Sequence, residues 1–294
     1  MKNRHLYNIL ILNLGMLCIS TSGPLGRFIP LPPPLIIWSR AFVAFLVLGA
    51  YCYWKKEKIR RGFVENRSTI IFSGTLLTLH WVTYFFALQW SGVAIGMLSM
   101  FTFPIITVFL EPLFFKTKFH PIHLMFGALI LIGIYLLVPS FNYENVQTKG
   151  LFMGLFSALA YAFRNLIIKK NVQKFNGSLL MFYQMGITII LLFPVLMFYP
   201  LDTFTTQIPY LLFLGLVTTA IGHTLFLNCL TYFTVSTASI MNSIQPIFGI
   251  IIAFFFLNET PPASSLIGGG IILFAVLIQF SSLLLSNKKE KVID

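Results

Sequence analysis

Stretches of about 20 apolar residues recur along the whole chain, parted by short polar breaks, and each is the length that an α-helix needs to cross ~30 Å of hydrocarbon. A helix satisfies its own backbone polar groups, which lipid cannot do, so this pattern dictates an all-α integral membrane protein. Composition agrees: 57% of the 294 residues are hydrophobic and 10% are charged, against roughly 25% charged in an average soluble domain. No stretch is left over for a sizeable soluble domain.

The spans are placed near residues 6–26, 34–54, 69–90, 93–115, 120–138, 149–168, 177–199, 208–232, 235–256 and 262–285, and are called spans 1 to 10 below. Of the 20 Lys and Arg, 16 fall in alternate gaps, among them Lys55 to Arg67, Lys169 to Lys174 and Lys288 to Lys291. The opposite gaps hold only Arg27 and Lys149 as cations, beside Glu144, Asp202 and Glu259. Under the positive-inside rule both termini are cytoplasmic, and the expected location is a bacterial inner membrane. The net charge of +12 therefore reads as topology; nucleic-acid binding would need those cations on a folded soluble face. The run after His5 is too long for a signal-peptide core and no small-x-small site follows it, so span 1 is expected to stay attached. Cys18, Cys52 and Cys229 are scattered within apolar segments and suit neither a disulfide framework nor a thiolate metal site.

Sliding the chain on itself by 142 positions pairs Leu88 with Leu230, Val93 with Val235, Pro104 with Pro246, Ile105 with Ile247 and Gly127 with Gly269. Pro34 through Arg40 of span 2 matches Ser178 through Gln184 of span 7 at a slightly different offset. The prolines are the informative pair, because each removes a helical hydrogen bond and must be accommodated at a chosen depth. They are expected near the middle of spans 4 and 9, as kink or gating positions. The repeat is a five-helix unit, with halves 1–142 and 143–294. Five is odd, so the second copy is inverted on the first, an arrangement that frames a binding site near the midplane.

Ile244-Gln-Pro-Ile247, Phe256-Leu-Asn-Glu259 and the Gly268-Gly-Gly270 helix, together with Pro-Leu ahead of Arg40, resemble the EamA-type members of the drug/metabolite transporter superfamily. Where that family commonly has a Glu after span 4, this chain has Thr117, with Glu111 earlier. The resemblance implies a ten-helix transporter, and not an enzyme, with a central cavity between its halves for amino acids, other small metabolites or drugs. The expected partners are that small-molecule substrate, the lipid bilayer and either a proton or a counter-substrate; no nucleic acid, cofactor or metal is expected, and the chain is either a monomer or a homodimer.

Ionisable groups within spans are costly and so are functional candidates: Arg40, His80, Glu111, Arg164 and His223. Arg40, inside span 2, offers a forked donor to a carboxylate or phosphate, or else ties helices together. Arg164 stands five residues before Lys169 and is expected to snorkel to the headgroups. His80 and His223 occupy the middles of equivalent spans 3 and 8 and suit either a proton relay or simple helix-joining hydrogen bonds. Glu111 is expected to pair with Lys116 at the membrane surface. No Asp or Glu lies in the middle of any span, which disfavours exchange of lipophilic cations through a buried carboxylate.

Neutral polar side chains complete the candidate substrate site: Thr102, Tyr161, Asn165, Gln184, Asn242 and Gln245, with Trp81 and Tyr84 on the His80 helix. For Ser and Thr, helix packing is an equal alternative. His120 and His123 have the wrong spacing for helical zinc chelation. The expected function is secondary transport, by efflux or exchange, of small polar metabolites such as amino acids. The alternatives are a receptor or assembly scaffold, or an intramembrane enzyme, for which no paired carboxylates or Ser–His pair stand at suitable spacing.

Overall fold

The computed structural model describes residues 2–116, 122–137, 142, 144–172, 176–199, 201–232, 235, 238 and 242–290. Thr117, Lys118, His120, Lys174 and Lys291 lie outside them. All ten spans are represented. Span 1 comprises Lys2–Ser20 and Ser22–Phe28, span 2 is Pro33–Trp54, span 5 is Ile122–Leu137 and span 6 is Val146–Val172. Span 7 is Gly177–Leu192 with a 3-10 turn Phe193–Met197, and span 10 is Ala263–Glu290. The side chains turned outward are large and apolar, including Phe72, Leu131, Ile190 and Phe256, a surface suited to lipid.

Spans 3 and 4 arise from one 54-residue apolar stretch, Gly62–Phe115, folded into a hairpin by a single residue. Gly92 sits at φ 83°, ψ 170°, a conformation open to glycine alone without strain. A Cβ on Gly96 would stand 2.9 Å from the Leu88 backbone nitrogen, so the two arms of the hairpin pack backbone against backbone.

Spans 4 and 9 are discontinuous in the same way. Their C-terminal halves are the helices Phe103–Phe115 and Gln245–Leu257, each 13 residues long. Each carries its proline in the first turn and ends in a left-handed residue, Lys116 or Asn258. Pro104 and Pro246 were expected to bend continuous helices. The helical hydrogen bonding is interrupted just before each, at Phe101–Thr102 and Ser243–Ile244, while Thr102 (φ −74°, ψ −13°) and Ile244 (φ −73°, ψ −20°) keep right-handed helical dihedrals, so each proline sits at a local break in its span. Proline fits there because the first-turn N–H has no helical acceptor to lose.

Packing follows the inversion. Span 2 lies on span 7 and span 5 on span 10, each span against its own counterpart; span 6 lies on the span 3–4 hairpin as span 1 lies on span 8. An axis relating the halves produces this pairing. Span 8 departs from a regular helix: Ile208–Phe213 and Thr224–Cys229 flank a π-helical stretch, Leu214–His223. There a Cβ on Gly215 would lie 2.5 Å from Val43 Cβ, so span 8 is pressed onto span 2 beside Arg40.

Candidate functional site

Arg40 has no solvent exposure, and its guanidinium is held by neutral oxygens. Nε donates to Thr219 Oγ1 at 2.9 Å, Nη2 to Thr218 Oγ1 at 2.9 Å and Nη1 to Ser22 Oγ at 3.1 Å. The π-helical turn explains how consecutive threonines serve one guanidinium: its extra residue per turn lets the hydroxyls at i+4 and i+5 both reach Leu214 O while accepting from Arg40. The Arg40 Cζ stands 4.3 Å from the Trp81 ring centroid, a cation–π contact that supplies negative potential without a carboxylate.

Arg164 is equally buried, which overturns the expectation of snorkelling. Its Nη1 donates to Asn165 Oδ1 at 2.8 Å and its Nη2 to Gln184 Oε1. Those bonds fix which way the Gln184 amide points and turn its Nε2 away. Gln184 Nε2 and Arg164 Nε then meet no acceptor among the described residues. The signal missed in the sequence was the neighbourhood: Asn165 and Gln184 offer inward partners that compete with the headgroups for the guanidinium. Glu111 is within electrostatic reach of Lys169 of span 6.

Between the two arginines lies a central cavity of about 20 Å³. Seven of the candidates line it, namely Trp81, Tyr84, Tyr161, His80, His223, Asn242 and Gln245, with Ser22, Ile19 and Met100 completing the wall. Gln245 Nε2 donates to Asn242 Oδ1 just ahead of Pro246. Arg40, Asn165 and Gln184 stand one layer back, behind Ser22, Trp81 and Tyr161. Thr102 bonds Ser99 O at 2.8 Å and is not part of the wall.

The two histidines differ. His80 Nδ1 is 2.7 Å from Ser157 Oγ, while Ser157 Oγ donates to His80 O at 2.9 Å. The single hydroxyl proton is used by that carbonyl, so the network assigns a hydrogen to Nδ1 and leaves Nε2 as the acceptor. The His80 ring also stacks on Tyr161, with centroids 4.3 Å apart. His223 meets the Trp81 ring edge-on, and its Nδ1 has no hydrogen-bond partner among the described residues.

Hydrogen bonds tie the spans together at both ends of the bundle. At the end where spans 3 and 4 join, Glu259 Oε1 accepts from Val93 N–H at 2.7 Å and its Oε2 is 3.7 Å from Arg27 Nε. Arg27 Nη1 donates to Gln89 O at 2.5 Å, and Gln89 Nε2 to Leu31 O at 2.9 Å. The loops after spans 1, 3 and 9 are thereby tied together. At the opposite end, Asn228 Oδ1 accepts from Gly177 N–H at 2.9 Å and Lys169 Nζ donates to Leu230 O at 2.5 Å, joining spans 6, 7 and 8.

Ten spans in two inverted repeats, with an enclosed polar cavity between them, define a membrane carrier of the inverted-repeat class. The model of the EamA-like transporter family matches residues 6–138 and again 148–281. The chain belongs to that family and is a multi-pass membrane transporter, not an enzyme. A crystal structure of another protein superposes with a TM-score of 0.70 at 14% identity, over 95% of this chain and 96% of that one, which shows a shared fold. No curated protein matches this chain.

Proposed function

We propose that this protein is a secondary carrier for small polar metabolites bearing an anionic group, amino acids among them, working by efflux or exchange across a bacterial inner membrane. The observation that carries the reading is the small cavity of polar and aromatic side chains between the two repeats, with a few separable contacts tying the spans at each end. Releasing one set of contacts at a time exposes the cavity to one side and then to the other. Residues 1–142 and 143–294 are the two moving halves. The Lys and Arg asymmetry favours cytoplasmic termini, which puts the Glu259 end on the exterior side.

In this reading Trp81, Tyr84, Tyr161, Asn242 and Gln245 contact substrate directly. Arg40 reaches its anionic group once Ser22 yields, and Asn165 and Gln184 position the groups behind Tyr161. His80 is structural, held by Ser157, whereas His223 is the candidate for a proton if transport is proton-coupled. The test is counterflow in proteoliposomes of purified protein against a broad metabolite pool. Saturable exchange that Arg40→Leu removes supports the reading; a folded protein that moves no compound from the pool sinks it.

A further inference from the structure

All eight acidic residues of the chain are Glu57, Glu65, Glu111, Glu144, Asp202, Glu259, Glu290 and Asp294. Among the described residues none lines the central cavity: Glu111 is near the end of span 4 and Glu65 stands ahead of span 3 as hydropathy places it. The core nevertheless buries two guanidiniums completely. An uncompensated charge in a dry interior is heavily penalised unless paired. The hydroxyl, amide and aromatic contacts of Arg40 and Arg164 reduce that cost without neutralising either charge.

The repeat shows that the two cations are related. Arg40 is matched with Gln184 at an offset of 144, and Ser22 with Arg164 at 142. Arg40 bonds Ser22 and Arg164 bonds Gln184, so the same contact between counterpart positions exists in both halves with the roles exchanged. Inversion then sets the two guanidiniums on opposite sides of the cavity centre. Arg40 is seven residues from the start of span 2 at one end, and Arg164 is eight from the finish of span 6 at the other.

Donors remain in excess. Arg40 commits three of its five N–H groups in the bonds above, and Arg164 Nε and Gln184 Nε2 are buried without an acceptor among the described residues. The N-termini of the half-helices at Phe103 and Gln245 add positive potential near the same depth. A zwitterion would bring an ammonium to a wall with no carboxylate to receive it, and a monoanion would leave one guanidinium unmatched. We infer that the transported species is a small dianion, one anionic group drawn to Arg40 and the other to Arg164. This inference rests on the carrier reading and narrows its substrate class away from neutral amino acids.

The test uses the full chain in proteoliposomes, with succinate as the dicarboxylate, glycerol 3-phosphate as the phosphate dianion, lactate as the monoanion and leucine as the zwitterion. The inference expects succinate or glycerol 3-phosphate to exchange in preference to lactate and leucine, and whichever moves identifies the form of the dianion. It also expects that dianion, and not leucine, to raise the melting temperature of the detergent-solubilised protein. Arg40→Gln and Arg164→Gln should each lower dianion exchange by about 100-fold or more and favour lactate relative to the dianion. Should Arg164→Gln fail to fold, the double variant Arg164→Gln, Gln184→Arg returns the charge to the same contact and should retain dianion selectivity. Saturable leucine exchange without dianion exchange overturns the inference and leaves the carrier reading intact. Movement of none of the four, nor of any compound in the broad pool, overturns both.

Discussion

Glu259 is the most economical place to unbalance the carrier. Its carboxylate accepts the Val93 N–H at 2.7 Å, at the N-terminus of span 4 where a negative charge is favoured. Its ion pair with Arg27 is 3.7 Å long with side chains 42% and 26% exposed, so after solvent screening that pair contributes at most about 1 kcal/mol. Glu259→Gln keeps an oxygen for Val93 and loses the charge, costing about 1 kcal/mol; Glu259→Ala leaves the N–H without its acceptor and costs about 2 kcal/mol. At about 1.4 kcal/mol per factor of ten, the state open at this end should gain about 5-fold in the first variant and about 30-fold in the second. The assay places a cysteine at Ile19, on the cavity wall, in a background lacking Cys18, Cys52 and Cys229. Labelling by a membrane-impermeant maleimide from the Glu259 side should accelerate in that order. Equal rates in the parent and the Ala variant, with both folded, would refute the assignment of this cluster as a closure.

Gly215→Ala puts a Cβ 2.5 Å from Val43 Cβ and should destabilise the protein by about 1–3 kcal/mol through overpacking, read as a lower melting temperature in detergent. His80→Leu removes the Nδ1 bond to Ser157 Oγ and keeps the backbone carbonyl to which that hydroxyl donates, and should cost about 1 kcal/mol of stability. His223→Leu, with no partner for Nδ1 to lose, should cost less stability while changing transport more; the reverse order would reassign the two roles. Pro246→Ala should change thermal stability by less than about 1 kcal/mol, because the proline occupies a first turn. A large gain would instead show a helix that the proline had been bending.

Most of the architecture was legible because membrane length and cation placement are strong, redundant signals: most spans stand within a few residues of where hydropathy puts them, although the helix of span 3 starts earlier, at Ile59. Gly92 was readable only as a break between spans 3 and 4, since its positive φ is a property of the backbone and not of hydropathy. The prolines were legible as interruptions of spans 4 and 9, and a local break in helical bonding stands beside each. A lone proline in an apolar run does not reveal whether the helix bends through it or ends before it, and the matched left-handed residues Lys116 and Asn258 carry no sequence signature of their own. The π-helical stretch of span 8 was illegible, because nothing in Leu214–His223 departs from an ordinary apolar helix. Arg164 was misread for a definite reason. Distance along the chain from Lys169 suggested the surface, whereas Gln184, 20 residues away, draws it inward across a helix interface that no local pattern shows.

The central claim is that two inverted halves close and open around one cavity in opposition. Distances between spin-label pairs at the two ends test it most directly, with Phe28 and Phe256 at one end and Trp54 and Tyr232 at the other, all exposed positions. On addition of a transported compound or release of the Glu259 cluster, the account predicts that one distance distribution lengthens as the other shortens or stays closed. Both ends lengthening together in a folded, active protein would contradict it.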